Sequence, residues 1–181
     1  MITVRAENPD DISAVRRVNE LAFGQPNEAA LVDELRKAAD PYISLVATNS
    51  GQVVGHIFFS PVSIESQDTA KGTGPHPGRL RGALAMGLAP LAVLPEQQNQ
   101  GVGSLLVREG LSECRRIGSH LVVVVGHPTY YPRFGFVRAD LNGLRCEYSV
   151  HPEVFMAMEL APGALAETQG LVKYRPEFAS V

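Results

Sequence analysis

The chain reads as an α/β fold, a mixed central sheet with helices on its faces. Three observations predict it. Strand-like and helical periods alternate along the sequence. The run Leu121–Val125 is apolar throughout, as in a strand covered on both faces. The segment Leu84–Val125 reads strand–helix–strand and is long enough for a right-handed parallel crossover.

The elements follow in order. Ile2–Ala6 alternates apolar and polar residues as a first strand. Asn8-Pro9-Asp10-Asp11 starts a helix, with a capping side chain, proline at its first position and acids facing the dipole. Ile12, Val15, Val18 and Ala22 form its apolar stripe. A second helix is predicted over Asn27–Ala39, with Leu31, Val32, Leu35 and Ala38 turned inward. Pro41 ends it. Ile43–Thr48, the turn Asn49-Ser50-Gly51 and Gln52–Ser60 read as an antiparallel hairpin.

Residues 67–82 are rich in Gly, Pro and polar residues and read as an exposed loop. Leu84–Leu94 is a strand in which Pro90 predicts a bulge or break. Gly101–Gly118 is an amphipathic helix with Val102, Leu105, Leu106, Cys114 and Ile117 on one side. After Leu121–Val125 come a short helical turn around Pro128–Arg133 and strands at Phe134–Arg138 and Phe155–Leu160. The count is about six to seven strands and about four helices. One domain over residues 1–181 is expected, with its core in 1–160. The tail 161–181 either completes the sheet or joins a homodimer contact.

Composition narrows the partners. Charged residues are 19% of the chain and the net charge is −3. A nucleic-acid binder would carry a basic excess, so none is expected; a cationic acceptor is mildly favoured. Cys114 and Cys146 stand far apart in no CxxC pattern, which fits a reducing compartment. The N-terminus has no apolar run after a basic start, and no apolar stretch is long enough to span a bilayer. A cytoplasmic protein without a membrane partner is expected. No HExxH, clustered Cys/His spacing or Gly-x-Ser-x-Gly elbow occurs, so no metal and no hydrolase nucleophile are predicted.

The chemistry concentrates in Leu91-Ala-Val-Leu-Pro-Glu-Gln-Gln-Asn-Gln-Gly-Val-Gly-Ser104, which leaves a strand, turns, and enters a helix through two glycines. Unpaired N–H groups at a helix start sit at the positive dipole end and bind phosphate. Glycine lets the chain approach a ligand closely. Two glycines also fit a plain tight turn, and two of the known phosphate loops do not fit the segment. A dinucleotide fingerprint needs glycine at position 106, which is Leu106, and no Gly-Lys-Ser/Thr exists for a P-loop. Gln98-x-x-Gly101-x-Gly103, after Leu91-Ala-Val-Leu-Pro95, fits a third pattern at every position.

That pattern resembles the acetyl-CoA signature of the GNAT superfamily. Tyr131-Pro-Arg-Phe-Gly-Phe136 is similar to the family's Tyr-x-x-x-Gly-Phe segment, and the element order agrees to about Leu160. The stretch Gly126–Phe136, with Val54-Gly55-His56-Ile57 upstream, resembles the YhbS-like subgroup. The resemblance implies the acyl-CoA N-acyltransferase fold and transfer of an acetyl or short acyl group from acetyl-CoA to a primary amine. It implies that the backbone of Leu91, Ala92 and Val93 pairs with the pantetheine arm. The N–H groups of Asn99, Gln100, Gly101, Val102, Gly103 and Ser104 would surround the pyrophosphate. An N–H near Leu91 would polarise the thioester carbonyl, and Tyr131 would be the general acid. One departure stands out: the stretch Gly126–Tyr130 is shorter than in many members, which carry an Asn there.

An attacking amine must shed a proton, yet neither Leu84–Leu94 nor Leu121–Val125 contains an acid. His56 and His127 remain as candidate bases, with Glu65, Asp68 and His76 behind them; a water chain is the other route. The competing reading from another class is a non-catalytic acyl-CoA sensor, which would have no use for Tyr131.

Overall fold

The computed structural model describes residues 1–66 and 83–181. The predicted loop 67–82, with Asp68 and His76, lies outside them. Two compact units are present, Met1–Ser60 with Leu88–Glu113 and Arg175–Val181, and Pro61–Gly87 with Cys114–Tyr174.

In the first unit, β1 (Ile2–Ala6) pairs antiparallel with β2 (Ile43–Asn49), which returns through a tight turn into β3 (Gln52–Glu65). Ser50 and Gly51 close that turn at φ 50 and 83, the conformation that matches hairpin twist. The strand order continues from β3 to β4 (Ala85–Val93). Helices α1 (Ile12–Phe23) and α2 (Asn27–Ala38) follow β1, and α3 (Val102–Arg116) follows β4. The Asn8 N–H donates to the Asp11 carboxylate at 2.8 Å, so the predicted helix start is closed by its own acid.

From Val54 to Ser60 β3 is buried at every position, so both of its faces are covered. Successive side chains of a strand point to opposite faces. Gly55 and Phe59 therefore meet α3 at Val102, Leu106 and Gly110, while His56 turns to the other side and meets Asn19 of α1.

In the second unit, Ala85–Gly87 pairs in parallel with β5 (Leu121–Val125), the crossover expected from the sequence. β5 pairs antiparallel with β8 (Phe155–Glu159), which also carries β6 (Val137–Arg138). β7 (Leu144–Cys146) pairs with β9 (Gly170–Lys173), and β9 pairs with Ser63–Glu65 of β3. Leu121, Val123, Leu144, Phe155 and Val172 form the core of this unit. A short α4 (Ala164–Glu167) precedes β9.

Several expectations need correction. Ile12 is 38% exposed, and the buried polar residue of α1 is Asn19. On α2 the inward stripe uses Ala29, and Ala38 is exposed while Ala39 beyond the helix is buried. Pro90 does not interrupt β4, which runs through it with a cis Ala89–Pro90 peptide. Proline lacks an N–H donor, but a strand can carry it wherever no partner needs that group. The turn after β5 is a 3-10 turn at Tyr131–Phe134, so β6 keeps only two residues of the predicted Phe134–Arg138. The tail supplies β9 and a last 3-10 turn, Pro176–Ser180. Among the described residues the strands number nine, because β7 and β9 were too short to show a period.

The last turn lies beside α2 with Phe178 only 7% exposed. Phe178→Ala is expected to destabilise the chain by roughly 3 kcal/mol, the low end for a buried phenylalanine. Denaturant unfolding checks this; an unchanged midpoint would show that the tail is dispensable.

Candidate functional site

The strand–turn–helix 91–104 is built by short-range contacts. Leu94 donates its N–H to Val54 O at 2.9 Å, on the β3 side of β4. Strand alternation then turns the N–H and C=O of Leu91 and Val93 to the opposite edge. On that edge the ladder to β5 covers only Ala85–Gly87. Leu91 and Val93 are half-buried and Ala92 is buried. A 3-10 turn, Pro95–Gln97, follows. Two glutamines brace it: Gln98 Nε2 donates to Val93 O at 3.1 Å and Gln100 Nε2 to Glu96 O at 2.9 Å.

Asn99 (φ 59) and Gly101 (φ 87) both adopt left-handed backbone, and nothing stands within 4 Å of a Cβ at Gly101. Glycine is there for conformation. The helical hydrogen bonds begin with Leu105 N–H to Gly101 O at 3.0 Å, so the N–H groups ahead of it stand at the dipole's positive end. Asn99, Gln100 and Gly101 are exposed, Gly103 and Ser104 half-buried, and Val102 is buried as the root of the helix.

Tyr131 belongs to the second unit and is 7% exposed. Its ring makes edge contacts with Tyr130 at 5.0 Å and Phe136 at 5.6 Å between centroids. Burial, and secondarily the neighbouring Tyr130, push its phenol above the ordinary tyrosine value, so it stays protonated. Tyr130 is half-buried under the Arg133 guanidinium, 4.0 Å from its ring centre. His127, four residues before Tyr131, is exposed; its carbonyl accepts from Tyr130 N–H at 3.0 Å.

His56 is fully buried, with both ring nitrogens engaged. Asn19 Nδ2 donates to Val15 O at 2.9 Å and turns its other proton to His56 Nδ1 at 3.1 Å. Ser44 Oγ donates to the Glu7 carboxylate and lies 2.9 Å from His56 Nε2. The ring must therefore carry its proton on Nε2 and be neutral. Glu7 is held in turn by Arg36 Nη2 at 2.7 Å. Burial, then the charge of Arg36, lowers the His56 pKa from 6.5 to about 3. This candidate base is closed off from an amine.

Among the described residues no group of three or more His, Cys, Asp and Glu is placed to hold a metal, and no helix is long and apolar enough to cross a membrane. The profile of the acetyltransferase (GNAT) domain matches residues 40–138. The N-acetyltransferase YhbS of Escherichia coli is 35% identical over 97% of this chain and 97% of its own length. The chain belongs to the GNAT acetyltransferase family. Two solved GNAT structures resemble it over most of their length. YhbS from Escherichia coli, solved with CoA, has a TM-score of 0.84 at 34% identity and covers 98% of this chain and 92% of its own. A GNAT acetyltransferase from Brucella melitensis, solved with acetyl-CoA, has a TM-score of 0.74 at 35% identity, covering 98% of both chains.

Within this GNAT chain, Gly55 and Gly126, quoted above only as part of the resemblance, support the candidate residues by their packing. A Cβ at Gly55 would come 2.9 Å from Leu106, 3.1 Å from Val102 and 3.3 Å from Ala92 O, so its bareness lets α3 sit flat on the sheet. Gly126 stands in the same relation to the Tyr131 ring. Glycine inside or at the end of a strand is the available hint of such close approach.

The neutral His56 makes a pH prediction. Its folded pKa lies below its unfolded one, so the unfolded chain binds the extra proton as pH falls. Stability from this residue is complete above about pH 6.5 and is lost on descent toward about pH 3. Between pH 7 and pH 5 the loss is about 2 kcal/mol. His56→Gln should show a flatter pH–stability curve over that window; parallel curves would mean that the histidine is not held neutral.

Proposed function

We propose that this chain transfers an acetyl or other short acyl group from acetyl-CoA to the primary amine of a small molecule or peptide, by direct attack on the thioester. The observation that carries the reading is the β4 edge at Leu91 and the Val93 N–H, followed by a turn whose exposed residues Asn99, Gln100 and Gly101 precede α3. An extended pantetheine arm pairs with such an edge as a strand would. The pyrophosphate that follows it meets the N–H groups of Asn99–Ser104. The two relatives solved with CoA and acetyl-CoA, each similar over nearly the whole chain, support this choice of ligand.

The Leu91 N–H, on the open edge, donates to the thioester oxygen as it becomes an oxyanion. The amine supplies the electron pair for the new C–N bond. Collapse breaks the C–S bond, and Tyr131 gives its proton to the departing thiolate. A phenol is available for that step because its ordinary pKa, about 10, keeps it protonated at neutral pH. Deprotonating a lysine-like amine at pH 7 costs about 4–5 kcal/mol, and with His56 enclosed that proton leaves through water or to the exposed His127. Neither Cys114 nor Cys146 forms a disulfide among the described residues, which suits the cytoplasm.

Acetyl-CoA at about a hundred times its dissociation constant should stabilise the chain by roughly 2.7 kcal/mol, visible as a rise in Tm that NADH and ATP do not give. Gly101→Glu should abolish the rise while the unliganded chain still unfolds cooperatively. No shift in the wild type would overturn the proposal. CoA release across amines, polyamines, amino acids and peptide N-termini then tests turnover; binding without turnover on any acceptor would make the chain a sensor.

Tyr131→Phe keeps the ring and removes the proton. It should lower kcat by roughly 10²–10⁴ with little change in acetyl-CoA affinity, while Tyr130→Phe stays near wild type. Normal turnover in Tyr131→Phe would make Tyr131 structural.

A further inference from the structure

Gly126 follows β5 directly, and its backbone has no need of glycine: its φ lies outside the positive region that Gly135, for example, occupies at 104. Its use is steric. A Cβ built on Gly126 would lie 2.3 Å from Cε2, 3.0 Å from Cδ2 and 3.3 Å from Cζ of Tyr131, so all three nearest atoms belong to one ring. Real Cβ atoms essentially never come within 3.0 Å of another heavy atom, and one side would have to move.

The backbone is not free to do so. Gly126 N–H donates to Val154 O at 2.9 Å, and the residue before it is locked in register, Val125 against Phe155. The ring is the part that yields, yet it is held between the edges of Tyr130 and Phe136. Any displacement therefore moves the phenol oxygen.

We infer that Gly126 is a positioning residue for the acid: its missing side chain is the seat on which the Tyr131 ring rests. The inference builds on the proposed role of Tyr131 and adds what sets that hydroxyl in place. It also explains why burial, rather than a hydrogen-bonding neighbour, is the chief influence on this phenol: the ring lies flush on bare backbone, which leaves water little access.

The test is a double-mutant cycle. Gly126→Ala should lower kcat by about 10–100-fold, the scale of an ångström misplacement, with the KM for acetyl-CoA nearly unchanged. In a Tyr131→Phe background the same substitution should change kcat by no more than about twofold, because the group it displaces no longer reacts. Spectroscopic titration reads the seat separately from turnover. Gly126→Ala should bring one tyrosine down toward the ordinary value near 10, and that tyrosine should be missing from the Gly126→Ala/Tyr131→Phe pair. Should Gly126→Ala lower Tm too far for kinetics, Tyr131→Leu removes the ring and should restore the double variant to the Tm of Tyr131→Leu alone. Unchanged kcat in Gly126→Ala, an equal loss in the Tyr131→Phe background, an unshifted titration, or no restoration by Tyr131→Leu would each overturn the seat. Full turnover in Tyr131→Phe would instead overturn the acid assignment and leave the titration to decide the seat.

Discussion

The first unit depends on a strand that is covered on both faces. With Val54–Ser60 of β3 wholly buried, each residue must satisfy one neighbour and no solvent. The side toward α3 solves this by shape: Gly55 is reduced to backbone, and Phe59 fills the space that Gly110 leaves open. The side toward α1 solves it with hydrogen bonds, since a buried polar group is costly unless it is paired.

The second solution is directional. Asn19 donates to His56, His56 to Ser44 and Ser44 to Glu7, whose charge is met by Arg36. Each donor leaves the next atom only one role, so the chain of bonds specifies a single tautomer and ties α1, β3, β2 and α2 together. A buried pair such as Glu7–Arg36 adds little net stability, but removing one partner leaves an unmatched charge. Such a relay acts more on the uniqueness of the arrangement than on its depth. Among the described residues Asn19 Oδ1 is left buried without a hydrogen-bond partner, so this uniqueness is not free of cost.

Long elements and the turn before α3 were legible because their signals are local. Leu121–Val125 matched the strand in the structure residue for residue. The turn before α3 could be tested position by position, and Gly101 does carry the left-handed backbone that glycine suits. What escaped was decided at a distance. Asn19 lies at the inward spacing of Val15, Val18 and Ala22, but its polar side chain gives no apolar signal there; only His56, 37 positions away, makes it core. β7 and β9 hold three and four residues, too few for a period to appear, and exist because they find each other and β9 also finds β3. The use of Gly126 was hidden because its partner is a ring five positions on, brought back by a turn that the sequence shows only as proline and tyrosine.

The glutamine braces in the turn before α3 have a further consequence. Gln98 and Gln100 spend their side-chain donors on carbonyls of their own loop, and the segment from Leu91 to Val107 contains neither lysine nor arginine. A turn tied to itself has little chain freedom left to lose on binding, so the entropy of ordering is a small part of recognition there. Without a cation, the attraction is that of aligned peptide dipoles, which fades within about one helical turn. For the diphosphate proposed to bind here, the segment offers almost no long-range pull; selection would come only after contact, by fit to the spacing of fixed N–H groups.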